Sequence, residues 1–77
     1  MTIKILAFGK IAELLSGAEQ EMSGVETVGA VRKKLEADFP ALSGLRYLIA
    51  VDKKIAGDEA LLQEHSVVAL LPPFSGG

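Results

Sequence analysis

The chain contains no cysteine. That removes disulfides, thiolate metal sites and cysteine nucleophiles together. It also contains no tryptophan, and aromatic residues make up only 5% of it, so its core must be built from Val, Ile, Leu and Ala. A single histidine and ten scattered carboxylates offer little material for a metal centre, and none is expected. No apolar run reaches the ~18 residues that a membrane span requires. Lysine and arginine total eight against ten acidic residues, a net charge of −2. Half of the bases fall in two pairs, Lys33-Lys34 and Lys53-Lys54, rather than on one patch. Such a distribution argues against a phosphate-binding face, and hence against a nucleic-acid partner. The opening Met1-Thr2-Ile3-Lys4 lacks the basic, apolar and small-residue order of a secretory signal. The expectation is a soluble cytoplasmic protein.

What is present is a small domain's worth of apolar residues, 49% of 77. A chain of this size buries roughly 60% of its unfolded surface, enough to fold alone but too little to enclose a conventional active site. Thr2 to Phe8 is β-rich and ends at Gly9. Alternation puts Ile3, Ile5 and Ala7 on one face and Lys4, Leu6 and Phe8 on the other, more solvated one. Lys10 to Ser16 spaces Ile11, Leu14 and Leu15 as a helical turn closed by Gly17. Glu19 to Met22 is predicted as a strand returning beside the first.

The main helix is predicted over Thr27 to Phe39. Thr27 is a good N-cap. Val28, Val31, Leu35 and Phe39 form an apolar stripe, and Pro40 ends the helix. Gly29 inside it costs about 1 kcal/mol against Ala, which packing must offset. Tyr47 to Val51 is predicted as a third strand, Asp52-Lys53 as a turn and Lys54-Ile55 as a short return. Gly57 to Leu62 reads as a turn or short helix. Val67 to Leu71 is nearly all apolar, which predicts a central strand buried on both faces. The resulting class is α+β: a mixed sheet of about five strands with one main helix on one face. First and last strands side by side satisfy the right-handed crossover preference.

The end of the chain is unusual. Pro72-Pro73 stops the last strand from extending its ladder and stiffens the exit. At about 3.1 Å per residue, the segment 72–77 reaches roughly 18 Å from the sheet. Its last residues, Gly76 and Gly77, have no side chain, so they fit a channel too narrow for a Cβ and leave the terminal carboxylate open. A carboxylate becomes a useful electrophile once coupled to AMP. The chain has no phosphate-cradling glycine loop, so a partner holding ATP would do the coupling. With no thiol, any sulfur carried would sit at Gly77 as a thiocarboxylate. The domain is expected over 1–71, with 72–77 as its tail.

The ending Ala69-Leu70-Leu71-Pro72-Pro73-Phe74-Ser75-Gly76-Gly77 resembles the C-terminal signature of the MoaD/ThiS family, which contains the sulfur-carrying small subunits of molybdopterin synthase. Ile3-Lys4-Ile5-Leu6-Ala7-Phe8-Gly9, Ala12-Glu13-Leu14-Leu15-Ser16-Gly17 and Leu48-Ile49-Ala50-Val51-Asp52 are similar to it too. The resemblance implies a ubiquitin-like β-grasp fold. It also implies a cycle in which a ubiquitin-activating-like (MoeB-like) enzyme uses ATP to adenylate Gly77. The terminus then becomes a thiocarboxylate. Finally the tail enters the large synthase subunit (MoaE-like) and gives sulfur to cyclic pyranopterin monophosphate, on the way to molybdenum cofactor. No cofactor would be bound by the chain itself. Phe8, Ile55 and Leu71 match positions of the family's partner surface. Pro72, Pro73, Phe74, Ser75 and Gly76 match its inserted tail. Three departures stand out: Asp52 replaces the family's usual Asn, Glu64-His65-Ser66 replaces an acidic Gly-Asp-Glu turn, and Phe74 replaces a smaller aliphatic residue. A thiamine-thiazole sulfur carrier, a ubiquitin-like protein modifier and an inert interaction module remain the alternatives.

Overall fold

The computed structural model describes residues 1–15 and 17–72. Five strands form one mixed sheet in the order β2-β1-β5-β3-β4. They are β1 (Thr2–Ala7), β2 (Glu19–Ser23), β3 (Leu48–Val51), β4 (Lys54–Ile55) and β5 (Val67–Leu71). β1 and β5 run parallel at the centre, and the other three pairings are antiparallel. The parallel pair is joined through α2 (Val28–Asp38), which covers one face. A short helix, α1 (Gly9–Leu14), links β1 to β2.

The period-two reading of β1 is borne out. Ile3, Ile5 and Ala7 are buried, while Lys4 and Phe8 are exposed and Leu6 is half-buried. Val28, Val31 and Leu35 of the α2 stripe are fully buried against Ile3, Ile5, Ile49, Val68 and Leu70. Phe39 lies past the last helical residue and is only partly buried. Thr27 caps α2 as expected, its hydroxyl accepting from the Ala30 N–H at 3.1 Å. The segment 58–60 satisfies the two donors before that one: Val28 N–H reaches Ala60 O at 3.1 Å, and Gly29 N–H reaches Asp58 O at 2.9 Å. The packing that offsets Gly29 is now visible. A Cβ there would stand 3.2 Å from both the Cβ and the carbonyl oxygen of Asp58.

Two expectations change and two are made finer. Tyr47 precedes the third strand rather than opening it. Pro40 stops α2 but starts a 3₁₀ turn, Pro40–Gly44, that buries Leu42; proline's missing N–H costs nothing at such a start. Of the two readings of 57–62, the turn is the one found, with Leu61 bridging to Thr27. Most consequential, β5 is central but not buried on both faces. Val68 and Leu70 are fully buried, whereas Val67, Ala69 and Leu71 are half-exposed. A single main helix can cover one face of a sheet, and nothing among the described residues covers the other.

Candidate functional site

The uncovered face owes its shape to register. Leu6 of β1 pairs with Ala69 of β5, Ala69 with Ala50 of β3, and Ala50 with Ile55 of β4. One row thus crosses four strands with two methyl side chains at its centre and two branched ones at its ends. Leu71, the next outward residue of β5, and Phe8, just past β1, stand along the same side. Small residues ringed by large ones make a shallow apolar concavity of about 510 Å³. Phe8 is 45% exposed and Ile55 is 62% exposed, and together with Leu6, Ala69 and Leu71 they make a contiguous apolar patch.

Phe8, Ile55 and Leu71, which lie on separate segments and match the family's partner surface, line this one concavity. Pro72 continues from its wall at Leu71 and lies against Gly9, where an added Cβ would come within 3.9 Å of the Pro72 ring. Gly9 adopts φ +59°, which turns the chain from β1 into α1 beside that exit. Pro73, Phe74, Ser75, Gly76 and Gly77 lie outside the described residues. The sequence reading missed Leu6, Ala50, Val67 and Ala69 as site residues. Alternation had already put Leu6 beside Phe8. The two β5 residues were hidden by the assumption that an all-apolar strand is covered twice.

The polar surroundings are structural. Asp52 donates its N–H to Val67 O at 2.8 Å, and its Oδ1 accepts from Val67 N–H at 3.0 Å, so it fastens the β3–β4 turn to the start of β5. The departing Glu64-His65-Ser66 turn clasps the start of β1: His65 N–H donates to Thr2 O, and Lys4 N–H donates to Ser66 O, both at 2.9 Å. The His65 side chain is 86% exposed, as befits a solvated turn residue. Among the described residues no group of three or more His, Asp or Glu stands close enough to hold a metal ion, and no helix is long and apolar enough to cross a membrane.

Known proteins share this arrangement. The sequence pattern of the ThiS family matches residues 5–77. The molybdopterin synthase sulfur carrier subunit of Caenorhabditis elegans is 31% identical, over 100% of this chain and 99% of its own length. Small archaeal modifier protein 1 from Methanosarcina acetivorans superposes with a TM-score of 0.85 at 25% identity, covering 99% of this chain and 96% of its own. A chain from the complex of subunits 1 and 2 of molybdopterin-converting factor from Helicobacter pylori superposes at 0.73 with 22% identity, covering 100% of both. The last two share the ubiquitin-like β-grasp fold seen here. With agreement running the full length of the sequence, the chain belongs to the ThiS family, together with the sulfur carrier subunits of molybdopterin synthase that it matches.

Proposed function

We propose that this chain is the sulfur carrier subunit of molybdopterin synthase. The observation that carries the proposal is continuity: the strand leading to Pro72 and the Gly-Gly end forms one wall of the open apolar concavity. A docked partner would therefore receive the tail in a fixed direction. An exposed apolar face rimmed by polar residues is the usual mark of an interaction surface. Phe8, Ile55 and Leu71 anchor the partner, and Pro72, Pro73, Phe74, Ser75 and Gly76 thread its channel.

In the proposed cycle a ubiquitin-activating-like enzyme couples the Gly77 carboxylate to ATP. The acyl adenylate forms and pyrophosphate leaves. A sulfur nucleophile from a donor then displaces AMP, leaving a thiocarboxylate. Inside the large synthase subunit that sulfur attacks cyclic pyranopterin monophosphate, and water then cleaves the acyl carbon–sulfur bond, leaving the sulfur on the pterin and Gly77 as a carboxylate. The chain contributes position and an unhindered terminus; the partners contribute ATP and catalytic side chains. The match to sulfur carrier subunits over the whole chain supports this reading, as does the Helicobacter pylori complex, in which subunits of the same system associate.

Likeness to an archaeal modifier protein keeps one other use of Gly77 in view, an isopeptide bond to lysine. Intact-protein mass spectrometry on the chain from its native host separates the two. Exchange of one oxygen for sulfur at the terminus is expected. Covalent protein adducts in its place would mark a modifier. An unaltered terminus in sulfur-replete cells would reject both.

A further inference from the structure

The turn joining β3 to β4 puts two side chains in a costly backbone region. Asp52 and Lys53 have φ of 48° and 75°. Two-residue hairpins favour glycine and asparagine there, because other side chains crowd the backbone. Asp52 offsets that crowding through its two bonds to Val67. Lys53 does not: among the described residues its ammonium has neither a hydrogen bond nor an ion pair. Yet Lys53 is exposed and lines the apolar concavity beside Ile55. Lys4, on the same outward face of the sheet, is by contrast held by Glu19 at 3.2 Å.

We propose that Lys53 is a specificity-determining residue of this face, selecting a protein partner that sets a carboxylate opposite its ammonium and an apolar ridge against Leu6, Ala69 and Ile55. A purely apolar cover would strip water from an unpaired cation, which is strongly disfavoured. An opposing carboxylate removes that penalty and also steers encounter. The assignment rests on the sulfur-carrier reading in taking the large synthase subunit as the partner to test.

Lys53→Gly makes the test sharp, because turn geometry and docking respond in opposite directions. The variant relieves the left-handed conformation, so its melting temperature holds or rises. Its affinity for the purified large subunit falls about tenfold at low ionic strength, and the salt dependence of binding flattens. Lys53→Asn, which tolerates the turn equally, behaves the same way. Lys33→Ala removes the same charge from exposed α2, across the sheet, and leaves affinity unchanged. Wild-type affinity in Lys53→Gly, or equal weakening in Lys33→Ala, overturns the assignment. A wild-type chain that does not bind the large subunit overturns the sulfur-carrier reading and this assignment with it.

Discussion

Tyr47 is the one tyrosine in the chain, and its surroundings tie the helix to the sheet. Its hydroxyl donates to Glu36 Oε2 at 2.8 Å, and the Arg32 guanidinium lies 5.0 Å from its ring centroid. Arg32 Nε in turn donates to Asp58 Oδ1 at 2.9 Å. Burial, and then the hydrogen bond to Glu36 and that carboxylate's negative charge, push the phenol up to about 12 from its ordinary 10. Between those values the folded chain keeps a proton that the unfolded chain has lost. Its contribution to stability is thus complete below pH 10 and disappears as pH rises towards 12. Ultraviolet titration of the folded protein should show a single phenolate transition displaced upward. Tyr47→Phe should remove this part of the alkaline fall in stability. Gly29 supplies a second test at this scale. Ala would gain about 1 kcal/mol of helix propensity in open space. Here its Cβ meets Asp58, whose backbone and side chain are both hydrogen-bonded. Gly29→Ala should therefore lower stability by about 1 kcal/mol in urea unfolding, and a gain would show that the 58–60 turn yields.

Among the elements, β5 carries both halves of the molecule's work on alternate residues. Leu70 is fully buried under α2 and Leu71 lines the concavity. Leu70→Ala should cost about 2–5 kcal/mol of folding stability. Phe8→Ala, on the outward side, should cost under about 1 kcal/mol, because the residue is already half in water. It should nonetheless weaken binding to the large subunit by more than it lowers stability. Calorimetric melting beside an affinity measurement checks this, and a melting temperature lost in proportion to affinity would place Phe8 in the core. Periodicity made the faces of β1 legible because Lys4 breaks the symmetry between them. β5 has no polar residue to do so, and its open side went unread for that reason.

For the whole molecule, folding and terminal chemistry are expected to be separable. Among the described residues α2, the sheet and the 3₁₀ turn close on one another around one core. One residue appended after Gly77 should leave the melting temperature unchanged. It should also abolish molybdopterin formation with the purified large subunit, since the added side chain and peptide bond displace the reacting carboxylate. Retained activity would show that sulfur is carried elsewhere. The central parallel pairing of first and last strands was readable from the order of elements, because it needs a helical crossover and the chain has one helix long enough to supply it. That order fits other small α+β folds too, and the β-grasp itself was read from the resemblance of the tail.

The sequence by itself determined which residues can form each element and what the Gly-Gly end can do, because those follow from side-chain period and from the absence of a Cβ. Alternation also set Phe8 on the outward face of β1, and the family resemblance added Ile55 and Leu71. Tertiary structure alone decided that they share a wall with Leu6, Ala50 and Ala69, since register across strands far apart in the chain is what sets two alanines side by side. It alone decided, too, that one face of an all-apolar strand stays open. Hydrophobicity fixes that a surface should be covered, and only the count and placement of the covering elements fix whether the chain covers it alone.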